Sequence, residues 1–416
     1  MEQEYAQVVR DIYELQKFRG KISLEPIQEL TAQLDHPEQD FPAIHVAGTN
    51  GKGSTASMLA AVLSEEGERT GLFTSPHLVD FRERIQVDGE KISREDVVRA
   101  YERVSGVGTD MSFFECMAAM AFDHFSRKEV DVAVVETGMG GRIDATNVAA
   151  SELSVVTNVA REHTKWLGET PEQIAHEIGG IIREETPVVS GADGDPGRVI
   201  ETIAEAKDAP LVPVEQLARP VDDGSTTLTL DWDGTRIDTD LLGRYQVDNI
   251  NTMLTAVEAM DRAVSDAAVR SALERVELPG RMEAVSSEPL VLLDCAHNPA
   301  AVRRLPATLS RIDGGKTVVV ASIMADKDYG AMLSTVEEFA DLVILSEAGI
   351  DRAADAEDLA ACVDRVDCEV VPSIPDALDT ALKVAAPDDL VLVTGSLYFV
   401  GDVKKVMDVR VTSSRR

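Results

Sequence analysis

The stretch His45-Val46-Ala47-Gly48-Thr49-Asn50-Gly51-Lys52-Gly53-Ser54-Thr55 decides how the chain is read. The apolar run FPAIHVAG at 41–48 leads into it, and a helical pattern with Met58, Leu59, Val62 and Leu63 on one side follows. Strand, glycine-rich loop and helix in that order form a phosphate cradle. Glycines let the backbone approach the phosphates, and the loop N–H groups and the helix N-terminus point at negative charge. Lys52 supplies a compact cation, and the hydroxyl that follows can hold Mg2+. Two positions depart from the strict GxxxxGK[ST] pattern: Val46 stands where the first glycine would, and Gly53 separates Lys52 from Ser54.

Outward from this loop, apolar runs alternate with helical patterns: RTGLFTS at 69–75, VDVAVVETG at 130–138, LSVVTNVA at 153–160 and TPVVSG at 186–191. Such alternation predicts an α/β fold, a parallel sheet with helices on both faces. From about 205 to 243 the character changes to a Thr-rich alternation around Asp233-Gly234, which predicts a small β excursion with a tight turn. Helical sequence to Val276 then meets LPGR at 278–281, where a domain boundary is expected, giving units of 1–280 and 281–416. A second strand series, VLLDCAHNP, KTVVVASIM, DLVILSEA, CEVVPSI and DDLVLVTGS, predicts a smaller Rossmann-like α/β domain.

Length suits two or three domains, because 416 residues exceed one core of roughly 100–200 residues. With 74 acidic against 40 basic residues the formal charge is −34, a field that repels nucleic acid and anionic lipid. The acidic excess is spread along the chain, as in proteins adapted to a high-salt cytosol. Cys116, Cys295, Cys362 and Cys368 show no CxxC pairing, so reduced thiols are expected. No run approaches the ~18 apolar residues of a membrane span, and the N-terminus lacks an apolar leader core. A cytoplasmic protein, monomeric and without membrane or nucleic-acid partners, is the expectation.

Polar clusters end several of the predicted strands: Thr74-Ser75-Pro76-His77, Glu136 through Asn147, Asn158 through His163, Asp294 through Pro299, and Asp326-Lys327-Asp328. Ligands of open α/β sheets sit outside the carboxyl ends of strands, so these clusters point to one ligand-binding edge. Taken singly, the glycine turn with Asp144 and Asn147 reads equally as backbone capping, and a lone His163 reads more readily as structural.

Together, GTNGKGST, TSPHL, FFE at 113–115, ETGMGGRIDATN, His163, Gln246 with Asn249, PGR, DxAHN and DKD resemble the folylpolyglutamate synthase/dihydrofolate synthase family of the Mur ligase superfamily. The resemblance runs in order from about residue 40 to 400. It implies a Mur-ligase-like parallel-sheet domain followed by a smaller α/β domain, and an ATP-dependent ligase. That ligase activates a carboxylate as an acyl phosphate and joins it to L-glutamate, with a folate-type acceptor, ATP and Mg2+, and K+ as a further candidate cation. By the same resemblance Thr49, Asn50, Gly51, Lys52, Gly53, Ser54 and Thr55 hold the triphosphate. Ser54, Ser75, Glu136 and His163 are metal ligands. Gln246, Asn249, Arg281, Asp294 and His297 serve the nucleotide, Phe114, Asp144 and Ala145 the pterin, and Lys52, Glu136, His163 and His297 the chemistry. Arg281 and Asp294 stand beyond the expected boundary, so the resemblance implies closure of two domains.

Three positions depart from the family pattern. Ile178 stands where most members carry a lysine that becomes carbamylated, with Glu177 as a neighbouring acid; Glu162 replaces an aspartate before His163; and Tyr245 replaces a histidine before Gln246. Alternative readings are a Mur-type amide ligase with another acyl acceptor, a nucleotide-binding homologue without turnover, and a nucleotide switch. The switch is disfavoured because Asp326-Lys327-Asp328 lacks a leading Asn.

Overall fold

Short β-branched runs between amphipathic helices have one economical solution: the strands pair in parallel and the helices cover both faces. The computed structural model, which describes residues 1–17, 23–223, 227–312 and 314–414, follows it twice. Its contacts divide the chain into one unit of residues 1–218 and 248–276 and a second of 219–247 and 277–416.

The first unit is built on β1 (Ala43–Ala47), β2 (Thr70–Phe73), β3 (Ile85–Val87), β4 (Glu90–Lys91), β5 (Val132–Glu136), β6 (Ser151–Val156), β7 (Val188–Ser190) and β8 (Leu211–Pro213). They form one sheet in the order β4-β3-β2-β5-β1-β6-β7-β8. The six strands from β2 to β8 in that order are parallel, and β3 and β4 add an antiparallel edge. β1 is buried along its whole length between β5 and β6, as expected for a continuous apolar run covered on both faces. Helix α1 (Lys52–Glu66) leaves β1 through the glycine loop. Helix α2 (Phe113–Lys128) is closed at its start by a capping box of Ser112 and Glu115, and Phe122 and Phe125 lie fully buried in the core. Helix α3 (Pro171–Ile178) follows β6.

Several outcomes differ from the sequence expectation. The edge pair β3–β4 was not anticipated, and Leu211–Pro213 joins the large sheet as β8 instead of opening the β excursion. The excursion is a three-stranded sheet of β9 (Ala218–Asp223), β10 (Leu228–Trp232) and β11 (Thr235–Thr239), and residues 224–226 lie outside the described ones. Asp233 and Gly234 turn the β10–β11 hairpin with φ of 48° and 75°, the left-handed pair of a type I′ turn. Residues 219–247 cluster with the second unit, whereas the sequence reading kept 205–243 in the first. Helix α4 (Arg244–Ala259) contains the division, after Val247.

The second unit carries β12 (Arg281–Ser287), β13 (Leu290–Asp294), β14 (Thr317–Ala321), β15 (Leu342–Leu345), β16 (Asp367–Val370) and β17 (Leu390–Thr394) in the order β12-β13-β17-β14-β15-β16. All pair in parallel except β12, an antiparallel edge interrupted by irregularities near Met282 and Val285. The core holds Leu292, Val319, Val343 and Leu392.

Candidate active site

In the first unit the loop between β1 and α1 is fixed by its neighbours. Gly51 caps α1 at φ 83°, and a Cβ there would lie 2.2 Å from Oδ1 of Asn249 on α4, so only glycine fits. The Thr55 N–H closes the first turn on the Gly51 carbonyl at 2.9 Å, with Ser54 and Thr55 buried beside it. Lys52 Nζ donates to the carbonyls of Gly48 at 2.9 Å and Thr49 at 3.2 Å, which holds the ammonium across the mouth of its own loop.

Glu136 ends β5 one strand away and is 3% exposed. Its Oε2 accepts the Ser75 N–H at 2.8 Å and lies 3.3 Å from where a Cβ on Gly53 would stand, so Ser75, Glu136 and the first turn of α1 come together. These donors are hard oxygens beside a phosphate loop, the set that suits Mg2+ with part of its hydration retained. Among the described residues no three His, Cys, Asp or Glu side chains cluster as a metal cage. His163 is exposed, adopts φ 50° and caps a short turn, Thr164–Leu167, through its carbonyl.

The turn after Glu136 unites the residues expected at the pterin. The Phe114 ring on α2 packs on Gly138, where a Cβ would come within 2.5 Å of Cζ. Asp144 Oδ2 accepts the N–H groups of Gly138 and Met139 at 2.9 and 3.0 Å. Its Oδ1 accepts the Thr146 N–H at 3.0 Å and the Thr146 hydroxyl at 2.5 Å. Burial raises the Asp144 carboxyl above its ordinary range, while these four donors pull it back. Ala145, also buried, opens the next turn. The Thr146 hydroxyl in turn accepts from Nε2 of His45 at 2.8 Å in the middle of β1, a contact the sequence reading missed. Nothing in the strand pattern separates His45 from an ordinary buried residue.

Ile178 is buried among Leu167, Ile174 and Ile181, so this position is apolar in all directions the cluster defines. The adjacent Glu177 is held by Arg142, with Nη2 at 2.8 Å and Nε at 3.1 and 3.2 Å from the two oxygens.

The second unit gathers its own set. Asp294, 3% exposed at the end of β13, accepts the Tyr245 hydroxyl at 2.7 Å, the Met282 N–H at 3.0 Å and the Ala296 N–H at 2.9 Å. Met282 adopts φ 55°, and its N–H bond to Asp294 fixes the turn that follows Arg281. Burial raises the Asp294 carboxyl, against the pull of the Tyr245 bond and the Arg281 charge. The Tyr245 phenol is pushed well above its ordinary range, first by burial and then by the Asp294 charge. His297 Nδ1 donates to the Cys295 carbonyl at 2.9 Å, and Asn298 caps the next turn at Ala301. Gln246 is fully buried on the first turn of α4. All four cysteines are free thiols.

Two Mur ligase domain models match the chain in succession. Residues 46–257 match the Mur ligase middle domain, and residues 280–397 match the Mur ligase glutamate ligase domain. A probable bifunctional folylpolyglutamate synthase/dihydropteroate synthase of Haloferax volcanii is 36% identical over 96% of this chain, covering 50% of that protein. This chain spans about half the length of such haloarchaeal relatives. The dihydrofolate synthase/folylpolyglutamate synthase of Bacillus subtilis is 35% identical, covering 94% of this chain and 96% of that one. The structure of E. coli FolC in complex with DHPP and ADP superposes with a TM-score of 0.88 at 30% identity, over 97% of this chain and 98% of the other. The chain belongs to the folylpolyglutamate synthase/dihydrofolate synthase family.

Proposed function

We propose that the chain is an ADP-forming ligase that adds L-glutamate to a folate-type acceptor, dihydropteroate or a tetrahydrofolyl glutamate. The acceptor carboxylate attacks the γ-phosphorus of ATP and ADP leaves. The glutamate amine then attacks the acyl phosphate carbon, the C–O bond to phosphate breaks, and the amine's proton is lost. The observation that carries this reading is the buried Glu136 carboxylate set against the first turn of a lysine-bearing phosphate loop. Little covalent work falls to the protein in phosphoryl transfer, so positioning and electrostatics dominate.

Lys52, Gly51, Gly53, Ser54 and Thr55 cradle the triphosphate, and Thr49 and Asn50 shape the loop. Gln246, Asn249, Arg281, Asp294 and His297 serve the nucleotide. Ser54, Ser75, Glu136 and His163 are the residues that would hold Mg2+, which when bound neutralises charge on the transferred phosphoryl group. Phe114 stacks the pterin, and Ala145 lies in the same turn. Asp144 has all four of its lone-pair positions taken by its own loop, so its part in acceptor recognition is to hold the shape of that loop. Both residue sets lie on one chain, which supports a monomer as the acting unit. Four free thiols support a cytoplasmic setting. No helix among the described residues is long and apolar enough to cross a membrane. The acidic surface and the haloarchaeal relatives support work at high salt.

The test is mass spectrometry of products after incubation with ATP, Mg2+, L-glutamate and a panel of dihydropteroate, tetrahydrofolate and methylated pterins in molar KCl. Mass gains of single glutamyl units are expected. ATP hydrolysis without gain on any pterin would turn the reading to another acyl acceptor. Lys52→Ala is expected to lower turnover by several orders of magnitude with the melting temperature retained.

A further inference from the structure

The phosphate loop is bound to the segment after β6 by a set of reciprocal hydrogen bonds. The Asn158 side chain pairs with the backbone of Asn50 in both directions: Oδ1 accepts the Asn50 N–H at 3.1 Å and Nδ2 donates to its carbonyl at 2.7 Å. Thr49 returns the pattern, its hydroxyl donating to the Ala160 carbonyl at 3.1 Å and accepting the Ala160 N–H at 2.9 Å. The Thr157 hydroxyl adds a second donor to the Asn50 carbonyl at 2.7 Å, and the Thr49 N–H donates to the Asn158 carbonyl at 2.9 Å. Both loops therefore have their backbone polar groups satisfied by each other, and neither shifts without exposing several of the other's groups. Three residues beyond Ala160 stands His163, with Glu162 buried before it.

We infer that Asn158 is a positioning residue that welds the phosphate loop to the His163 segment, so that nucleotide and divalent cation are received by one rigid element. The inference rests on the ligase reading for the identity of the ligands and for His163 as a ligand of the cation. Because one element serves both ligands, each is bound more tightly in the presence of the other, and Asn158 carries part of that coupling. Asn158 itself touches neither reacting atom, so its loss acts on binding ahead of chemistry.

The experiment titrates the 416-residue chain with a fluorescent N-methylanthraniloyl-ATP, with Mg2+ and with EDTA, beside steady-state kinetics. Asn158→Ala is expected to weaken binding by about tenfold or more, the equivalent of the two side-chain bonds removed. The factor by which Mg2+ tightens the nucleotide shrinks. The KM for ATP rises more than kcat falls. Asn158→Asp, which keeps the acceptor and loses the donor, weakens binding as well. Ile27→Ala, a core truncation in the same unit, lowers the melting temperature and leaves nucleotide affinity within about twofold. Asn158 variants that bind like wild type, or an Ile27→Ala variant that weakens binding as much, overturn the inference. Wild-type protein that binds no nucleotide overturns the ligase reading itself, a separate result.

Discussion

His45 makes the fold acid-sensitive in a way that one substitution isolates. The ring is fully buried in β1 and donates from Nε2 to the Thr146 hydroxyl, which donates onward to Asp144. Burial first, and the Arg183 guanidinium second, push the imidazole down from 6.5 to about 3. In the unfolded chain it takes up a proton near 6.5; in the folded chain it stays neutral until about pH 3. A depressed folded value means that the unfolded state binds the extra proton. The stabilisation is therefore complete above the unfolded value and is lost as pH falls through the interval. At pH 5 the difference corresponds to about 1.5 log units of proton binding, or about 2 kcal/mol. His45→Gln keeps an N–H donor for Thr146 and has no proton to gain. His124 is also buried and pushed down to about 4, chiefly by burial; it contributes equally to both proteins and cancels in the comparison. Urea titrations at about pH 7 and pH 5, in constant KCl and in a Trp232→Phe background, leave Trp166 to report on the first unit. Wild type should lose about 2 kcal/mol more than His45→Gln between the two conditions. Equal losses would show that His45 is protonated in the folded state or exchanges with solvent, and would refute the argument.

Two further outcomes follow from the geometry. Gly51→Ala places a Cβ against Asn249 in a left-handed backbone, so it should cost about 1–2 kcal/mol in thermal unfolding and abolish nucleotide binding in the fluorescent titration. Tyr245→Phe removes the hydroxyl that Asp294 accepts and leaves a buried carboxylate short of a donor. It should cost about 1–3 kcal/mol in the second unit, read by Trp232 fluorescence in a Trp166→Phe background, and raise the KM for ATP.

The sheet of the first unit was legible because β1, β5 and β6 are short, mostly apolar runs rich in Val and Ile, each bounded by a glycine or polar loop. The Asp233-Gly234 turn was equally plain. β3 and β4 escaped notice although Asp88-Gly89 is a turn signal, with φ of 52° and 75°, because three residues and two residues carry too little periodicity to stand out. β12 escaped for another reason: its irregular pairing with β13 breaks the alternation that marks a half-buried strand. That residues 219–247 cluster with the second unit is a long-range choice that no local window contains. At the site, Lys52 stood out in its glycine loop, Glu136 and Asp294 as charges at strand ends, and Asn158 as the head of a polar cluster. His45 and Thr157 did not, because their partners lie more than a hundred residues away in the chain.

Glu136 and Asp144 bound one glycine turn, and sequence alone offers both as functional acids. Their surroundings assign them different work. Asp144 receives two donors on each oxygen, all from residues within six positions of itself, so its charge is spent on fixing the path of the Gly138–Met139 backbone against the Phe114 ring. Glu136 faces out of the turn, toward the Ser75 amide and the first turn of α1, where a cation and phosphates would be received. Removing the charge separates the two. Asp144→Asn replaces an acceptor oxygen with an amide that opposes either the Gly138 and Met139 N–H groups or the Thr146 N–H, so the loop must shift and Phe114 must move with it. Glu136→Gln keeps the fold and an oxygen for Ser75, and removes only the negative charge that the proposed function assigns to the metal. The first change is written in stability and acceptor KM, the second in metal dependence.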